Sequence, residues 1–204
     1  MVRQILVVKK EILFPEKIFE GFIPFSKELM EKILRNYDYM ERNDELENNP
    51  SFLQIIPYAW ILNIAEKKAF IYKRGLSKGD YKEKRHVEKY SGGIGGHIDK
   101  EEVEPANPIV HALEREMREE VTIVNYPDFR FVGFVHREDD IYERVHLGVV
   151  AVAETEEEVS ATDDGLNGGS FMSILEIEEL MSRDDVEFDK WTKTSWPFIK
   201  KLLN

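Results

Sequence analysis

Three glutamates of one predicted helix have the spacing that brings carboxylates onto a single face. Glu116, Glu119 and Glu120 stand at positions i, i+3 and i+4 of the stretch Pro108 to Val121, so their side chains converge when this stretch is helical. Clustered carboxylates repel one another, and a divalent cation with oxygen ligands, Mg²⁺ or Mn²⁺, neutralises that repulsion. The alternative interpretation of the same residues is a solvated helix face rich in Glu and Arg.

A glycine-rich turn upstream of this helix offers backbone oxygen atoms to the same site. Its glycines are Gly92, Gly93, Gly95 and Gly96, and an acidic connection joins them to the helix. Glycines let a backbone approach a ligand closely, so a carbonyl of this turn could supply one more oxygen to a metal. The spacing does not fit the G-x-G-x-x-G dinucleotide pattern, and the chain lacks the Gly-Lys-Ser/Thr of a P-loop. The glycines therefore favour the metal-site interpretation.

The helix that carries the glutamates has clear start and packing signals. Asn107 is a suitable N-cap, and Pro108 suits the first helical position, where its missing N–H is no loss. Arg115 stands four residues before Glu119, so it can pair with that carboxylate and fix its rotamer. One apolar stripe is predicted to pack on a sheet, and it consists of Val110, Leu113, Met117 and Val121.

At these residues the sequence resembles the Nudix hydrolase family. The family signature is G-x5-E-x7-R-E-U-x-E-E-x-G-U, where U is a bulky aliphatic residue. Residues 115–120 read R-E-M-R-E-E and match the centre of the signature without a gap. Gly96 fits the first glycine, Glu102 then falls at the x5-E position, and Ile123 fits the last U.

Two positions depart from the family signature. Twelve residues separate Glu102 from Arg115 instead of seven, an insertion of five around residues 105–108. Thr122 replaces the glycine that ends the helix in the family. A β-branched residue would be strained in the left-handed conformation that such a glycine adopts, so we expect the helix to end differently in this chain.

The resemblance implies a hydrolase of a diphosphate bond, usually in a nucleoside diphosphate linked to another group, with Mg²⁺ or Mn²⁺ as the cofactor. By resemblance, Glu116, Glu119, Glu120 and the Gly96 carbonyl are the expected metal ligands. Arg115 is expected to orient a glutamate, and Arg115, Glu116 and Glu120 are the expected catalytic residues.

The general base stays open, because family members take it from different places. Glu116 or Glu120 could serve, or an acid from the loop between two predicted strands. The loop acids are Glu138, Asp139, Asp140 and Glu143, whose alternative interpretation is an ordinary polar turn. Glu102 is expected either to interact with a metal ligand without binding the metal itself, or to be exposed to solvent.

Two arginines upstream of the glycine turn are candidates for substrate phosphate contacts. They are Arg74 and Arg85, which stand among other basic residues. Exposed basic side chains of a loop are the alternative interpretation. Under both interpretations, the expected substrate is a small-molecule diphosphate.

The elements around these residues predict an α/β fold of the α+β type. Strands are predicted at residues 5–8, 12–14, 55–64, 68–72, 129–136, 145–153 and 171–174. Helices are predicted at residues 26–37, 108–121, 176–181 and 190–203. Because strands and helices are interleaved, a mixed sheet covered by helices is the simplest architecture, and the resemblance makes it a Nudix-like α/β/α sandwich.

A polar run at residues 41–50 is the best candidate for a domain boundary. It separates an N-terminal strand-helix addition, residues 1–50, from a Nudix-like hydrolase domain, residues 51–204. The addition is expected to pack on the main domain. Whether it covers the site or forms a homodimer contact stays open.

The composition excludes several other classes of protein. The 204 residues include 40 Asp and Glu against 28 Lys and Arg, and the resulting charge of −12 disfavours a nucleic-acid partner. The absence of cysteine excludes thiol catalysis and thiolate metal sites. It also argues against isomerisation of isopentenyl diphosphate, a reaction of the same fold that uses a cysteine.

No apolar run approaches the roughly 18–20 residues that a membrane helix needs, and no cleavage site follows the apolar patch near the N-terminus. We therefore expect a cytoplasmic protein without a membrane partner. The main alternative to a hydrolase is a Nudix-fold module that binds or senses a nucleotide without cleaving it.

Overall fold

The computed structural model describes residues 2–75, 89–101, 105–162 and 166–204. The chain divides into two compact units, each built from three segments. The first unit comprises Met1–Tyr58, Gly95–Glu114 and Phe131–Ala151, and the second comprises Ala59–Ile94, Arg115–Arg130 and Val152–Asn204. Residues 1–50 thus belong to the first unit, which also includes residues 51–58, 95–114 and 131–151.

Helices and strands are interleaved along the described part of the chain. The helices are α1 (Lys10–Leu13), α2 (Lys27–Asn36), α3 (Pro108–Glu120), α4 (Ile174–Met181) and α5 (Lys190–Leu202). The strands are β1 (Gln4–Lys9), β2 (Gly21–Pro24), β3 (Tyr37–Glu41), β4 (Phe52–Asn63), β5 (Lys68–Arg74), β6 (Tyr90–Ser91), β7 (Gly93–Ile94), β8 (Val121–Thr122), β9 (Phe129–His136), β10 (His146–Glu154), β11 (Ser160–Ala161) and β12 (Leu166–Ser173). The predicted α/β class with a central sheet is confirmed.

Antiparallel pairing organises the strands of the first unit. Strand β1 pairs with β3 and with the first residues of β4, where Val8 lies opposite Leu53. Strand β2 pairs with β9, where Phe22 lies opposite Val135. In the hydrogen-bonded order, β9 lies between β2 and β10.

Strand β1 is buried on both of its faces. Leu6 and Val8 join one apolar cluster, while Ile5 and Val7 join another. Because successive side chains of a strand point to opposite faces, this strand separates the two clusters. Its near-continuous apolar sequence follows from that position.

Helix α2 begins where the sequence predicts. The Ser26 hydroxyl oxygen accepts a hydrogen bond from the Leu29 amide at 3.2 Å, as an N-cap does. Leu29, Met30 and Ile33 are buried along one face of the helix. The helix predicted at residues 26–37 is therefore present and begins after Ser26.

The strand predicted at residues 12–14 is wrong. Residues Lys10–Leu13 form the single helical turn α1, closed by a hydrogen bond from the Phe14 amide to the Lys10 carbonyl at 2.9 Å. The pattern misled because a three-residue apolar run has no detectable period. Burial of Leu13 within the first unit satisfies the same run in a helical turn.

The second unit is organised around β5. It lies between β12 and β4 in the hydrogen-bonded order, and a tight turn joins β4 to it. Lys67 adopts a positive φ of 56° in that turn. The Trp60 ring of β4 stacks on Trp196 of α5 at 5.9 Å and donates a hydrogen bond to the Ser195 hydroxyl at 3.2 Å. These two tryptophans thus pack β4 against α5 within the second unit.

The strand predicted at residues 171–174 and the helix predicted at residues 176–181 have different bounds in the structure. The short strand predicted at residues 171–174 is the end of a longer strand, β12, and Ile174 begins α4. Pairing with β5 extends this strand, with Phe171 opposite Phe70.

No helix in the described part of the chain is both long enough and apolar enough to cross a bilayer.

Candidate active site

Helix α3 forms as its sequence predicts. The Asn107 side-chain oxygen accepts hydrogen bonds from the amides of Ile109, at 3.1 Å, and Val110, at 3.2 Å. Leu113, Met117 and Val121 of the predicted apolar stripe are fully buried, whereas Val110 is half-buried. The neighbouring Ile109 is fully buried in its place. The glutamates are therefore carried by a helix that is capped at its start and anchored along one side.

Arg115 is bonded to two of the predicted glutamates. Its guanidinium donates to Glu119 Oε2 at 2.9 Å and to Glu116 Oε1 at 2.7 Å. The Glu116 side chain is only 11% exposed, whereas that of Glu119 is 56% exposed. The i, i+4 pair expected from the sequence is present, and a second ion pair to Glu116 accompanies it.

Glu120 lies near a buried tyrosine that sequence reasoning missed. The Tyr72 hydroxyl of β5 donates to the Gly93 carbonyl at 2.6 Å. Burial raises the pKa of Tyr72; the Arg74 cation opposes that shift and the Glu120 carboxylate adds to it. Glu120 and Arg74, a predicted phosphate ligand, are thus both within electrostatic range of the Tyr72 hydroxyl. Tyr72 was not predicted because an inward-facing tyrosine in a strand looks like ordinary core.

Helix α3 ends without the glycine of the family signature. The chain continues directly into β8, where Thr122 pairs with Ser160 of β11. Thr162 caps the helix, because its amide donates to the Glu120 carbonyl at 2.9 Å and its hydroxyl to the Glu119 carbonyl at 3.2 Å. In the described residues, the one non-glycine with positive φ is Lys67, so Thr122 is not left-handed. The expected different exit from the helix is confirmed.

The signature turn, which we define as residues 95–98, lies in the first unit. A side chain at Gly95 would place its Cβ 1.8 Å from the Pro57 carbonyl oxygen, so only glycine allows this approach. The Ile98 carbonyl accepts from the Leu6 amide at 2.8 Å. Gly96, between these two anchors, is half-buried.

A buried polar pair supports the signature turn. His97 Nε2 lies 2.7 Å from Gln54 Oε1, and both side chains are buried. Burial, followed by the charge of Arg42 and the neighbouring His146, lowers the pKa of His97 well below its usual range. The ring is therefore neutral near pH 7. Sequence reasoning missed this pair because no spacing pattern connects residues so far apart along the chain.

The four acids of the loop between β9 and β10 have different surroundings. Glu138 accepts hydrogen bonds from Lys10 and from His136, the latter at 2.9 Å. Partial burial raises the pKa of Glu138, but these two hydrogen bonds outweigh it and lower the pKa below its usual value. Glu138 is thus held as an ionised carboxylate.

The other three loop acids are not equivalent to Glu138. Asp139 accepts from the Arg137 guanidinium at 2.9 Å, and Asp140 accepts from the Tyr142 amide at 2.8 Å. Glu143 is 7% exposed, which makes it the most buried acid of this loop. Glu102 and Arg85 lie outside the described residues.

The donor atoms of α3 suit a hard divalent cation. Carboxylate oxygens are the ligands that Mg²⁺ and Mn²⁺ prefer, and each bond from Arg115 engages one oxygen of a two-oxygen group. Within the described ranges, no three His, Asp or Glu side chains stand in a metal-holding arrangement. The residues therefore fit the cation by donor type, and a bound cation would require these carboxylates to turn toward it.

The sequence matches no family model and no curated protein sequence, but solved structures resemble it. The fold matches Tm1382, a protein provisionally described as a Nudix hydrolase, with a TM-score of 0.75 and 25% sequence identity. That match covers 98% of this chain and 99% of Tm1382. Together with the signature on α3, it supports a relationship to the Nudix family and a Nudix-type hydrolase.

Two further structures resemble the fold at lower identity. The Nudix domain of NrtR from Shewanella oneidensis, solved with ADP ribose, is 13% identical, with a TM-score of 0.53 over 86% of this chain and 99% of that chain. A bifunctional NMN adenylyltransferase/ADP ribose pyrophosphatase from Francisella tularensis, solved with AMP and a manganese ion, is 14% identical. Its TM-score is 0.51 over 74% of this chain and 42% of that chain. These two matches support the fold.

Proposed function

We propose that this chain is a metal-dependent pyrophosphohydrolase. Its substrate is a nucleoside diphosphate linked to another group, its cofactor is Mg²⁺ or Mn²⁺, and the bond that breaks is the diphosphate bond. The observation that carries the proposal is the pair of hydrogen bonds from Arg115 to Glu116 and Glu119 within an unbroken R-E-U-x-E-E run. Exposed ion pairs of this spacing also occur on α2, but the Glu116 side chain is only 11% exposed, so it is not part of a solvated face.

The proposed metal ligands are Glu116, Glu119 and Glu120, with the Gly96 carbonyl as a further ligand. A bound cation neutralises charge on phosphate oxygens and lowers the pKa of its bound water. Arg115 acts on the ligands themselves, because its planar guanidinium holds two carboxylates in defined orientations. The proposed role of Arg115 is therefore to orient the glutamates.

Arg74 is the proposed phosphate contact in the second unit. It ends β5, and both it and Glu120 act electrostatically on Tyr72. The Arg74 guanidinium would donate hydrogen bonds to the non-bridging oxygens of a diphosphate. Arg85 is proposed for the same role and Glu102 for support of the ligands.

The general base is proposed to be Glu116, Glu120 or a loop acid other than Glu138. Proton transfer is efficient when the pKa of the base lies near the working pH. Hydrogen bonds from Lys10 and His136 move the pKa of Glu138 away from that range, so Glu138 is a poor base. Burial distinguishes Glu143 from the other loop acids and makes it the first of them to test.

The two similar structures with bound ligands support the substrate class. One holds ADP ribose and the other holds AMP with manganese. Both ligands are nucleotides or nucleoside diphosphate derivatives, as the proposal requires. The net charge of −12 supports a small-molecule substrate whose phosphates meet the protein through a cation.

The test is a panel of diphosphates assayed with Mg²⁺ and with Mn²⁺. Phosphate release is measured after coupling to a phosphatase, and the panel includes nucleotide sugars, dinucleoside polyphosphates and ADP ribose. We expect turnover of at least one member and its loss in the Glu120→Gln variant, which removes a charge from the metal site. Glu114→Gln is the matched control, because Glu114 is an exposed acid of the same helix outside the proposed ligand set.

Two outcomes would contradict the proposal. Full turnover by Glu120→Gln would remove the assigned metal site. Tight binding of a panel member without turnover by the wild-type protein would support the alternative, a nucleotide-binding module without hydrolytic activity.

A further inference from the structure

Two polar side chains are buried directly beneath the signature turn. His97 is 6% exposed and Gln54 is fully buried, although β4 is otherwise apolar along this stretch. Burying a polar group without a hydrogen bond is costly, so their mutual bond of 2.7 Å is required where they lie. The pair therefore defines one arrangement of the turn.

The direction of this hydrogen bond follows from the chemistry of the two groups. An amide oxygen only accepts hydrogen bonds, so His97 Nε2 carries the proton and donates it to Gln54 Oε1. The Gln54 amide nitrogen donates to Glu47 Oε2 at 3.4 Å, and Arg42 donates to Glu47 Oε1 at 2.8 Å. Gln54 is thus held in the orientation that presents its oxygen to His97.

Backbone contacts hold the signature turn on both sides of His97. Gly95 is in close contact with the Pro57 carbonyl, and the Ile98 carbonyl accepts from the Leu6 amide. Neither contact restrains the peptide between Gly96 and His97 directly. The His97 side chain is attached to the Cα atom at which that peptide ends, so its bond to Gln54 fixes the position of this Cα and restrains the rotation of the peptide.

We propose that His97 is a positioning residue, whose hydrogen bond to Gln54 fixes the direction of the Gly96 carbonyl. This inference rests on the proposed function, which assigns that carbonyl to the metal. It adds two residues outside the glutamate helix to the determinants of cation affinity. Residues 42–54, at the end of the N-terminal addition and the start of β4, then have a part in metal binding.

The decisive experiment compares substitutions that keep or remove the donor of His97. In His97→Gln the side-chain amide can replace the ring Nε2–H, whereas His97→Leu has no donor. Mn²⁺ affinity is measured by titration calorimetry, and kcat and KM are measured with the best substrate of the panel. We expect His97→Leu to weaken Mn²⁺ binding by about 10-fold or more and to lower kcat, as loss of a residue behind a metal ligand does. His97→Gln should stay within about 3-fold of wild type.

Two further variants separate positioning from a general loss of stability. Gln54→Leu removes the acceptor, and it should weaken Mn²⁺ binding as His97→Leu does. Leu29→Ala also creates a defect in the first unit, at a buried apolar residue of α2, and should lower the unfolding midpoint without changing Mn²⁺ affinity. If His97→Leu does not fold, Gln54→Leu gives the same reading.

The outcomes distinguish this inference from the proposed function. If the wild-type protein binds no Mn²⁺, the proposed function fails and the inference fails with it. If the wild-type protein binds Mn²⁺ and folded His97→Leu binds it equally well, the inference alone is overturned. Equal losses in His97→Gln and His97→Leu would also overturn it, because the hydrogen bond would then not be the determinant.

Discussion

Arg115 restrains two carboxylates that would otherwise repel each other. Its side chain is 25% exposed, so the ion pairs are partly shielded from solvent and from salt. The ion pair between Arg115 and Glu119 is predictable because the two residues stand four apart on a helix. The bond from Arg115 to the adjacent Glu116 is not predictable from spacing. It depends on the rotamers that the packed helix allows.

Removing the Arg115 guanidinium should slow catalysis more than it weakens substrate binding. We expect Arg115→Ala to lower kcat by about 10- to 100-fold, the range for residues that orient metal ligands, with a smaller change in KM. Steady-state kinetics give both values. Arg115→Lys keeps the charge but loses the planar fork, so it should recover only part of the rate. Equal losses in affinity and rate would instead assign Arg115 to substrate binding.

The loop acids can be separated by their effect on the pH dependence of the rate. Neutralising the general base should flatten the acidic limb of the kcat/KM profile, because a base acts only when it is deprotonated. We expect no such effect for Glu138→Gln, because Glu138 is held ionised by Lys10 and His136. The matched variants are Asp139→Asn, Asp140→Asn and Glu143→Gln. If none of the four changes the profile, the base is on α3.

Helix α3 is the element whose form is most fully encoded locally. Its N-cap, its first proline and its apolar stripe stand in one short stretch, and the structure contains the cap, the proline and the stripe except for Val110. Strand β3 is the opposite case, because residues 37–41 follow α2 directly and are a strand only through pairing with β1. Such a partner is not visible in local sequence, and β3 was therefore missed.

The N-cap of α3 should contribute measurably to stability. Asn107→Ala removes the side-chain oxygen that accepts from two amides of the first turn, and we expect the free energy of unfolding to fall by about 1 kcal/mol. Urea denaturation monitored by circular dichroism gives this value. Asn107→Asp keeps an accepting oxygen at the cap and should remain near wild type. A loss of similar size in Asn107→Asp would show that the cap is not the cause.

At the scale of the whole molecule, the predicted site residues belong to both compact units. Arg74, Arg115 and the three glutamates are in the second unit, and Gly96 and the loop acids are in the first. The glutamate group was predictable because its members are neighbours on one helix. The pair His97 and Gln54 was not, because it is created by tertiary packing of two distant segments.

A cation that binds the folded chain should stabilise it against unfolding. Linkage predicts about 2.7 kcal/mol at a free cation concentration 100 times the dissociation constant. We expect Mn²⁺ to raise the midpoint of thermal unfolding of the wild-type protein, with a much smaller rise for Glu120→Gln. Differential scanning calorimetry measures the unfolding midpoint of both proteins, and a metal-free buffer that contains a chelator gives the baseline. An equal rise in the two proteins would place the cation elsewhere.

Strand β1 holds the end of the signature turn through two backbone hydrogen bonds. The Leu6 amide donates to the Ile98 carbonyl at 2.8 Å, and the Lys100 amide donates to the Gln4 carbonyl at 3.0 Å. A shortened chain that began at Ser51 would keep every residue that matches the family signature and would lose both of these hydrogen bonds. Its backbone at positions 98–100 would exchange these two partners for water, so we expect an active fragment to need residues that precede the signature.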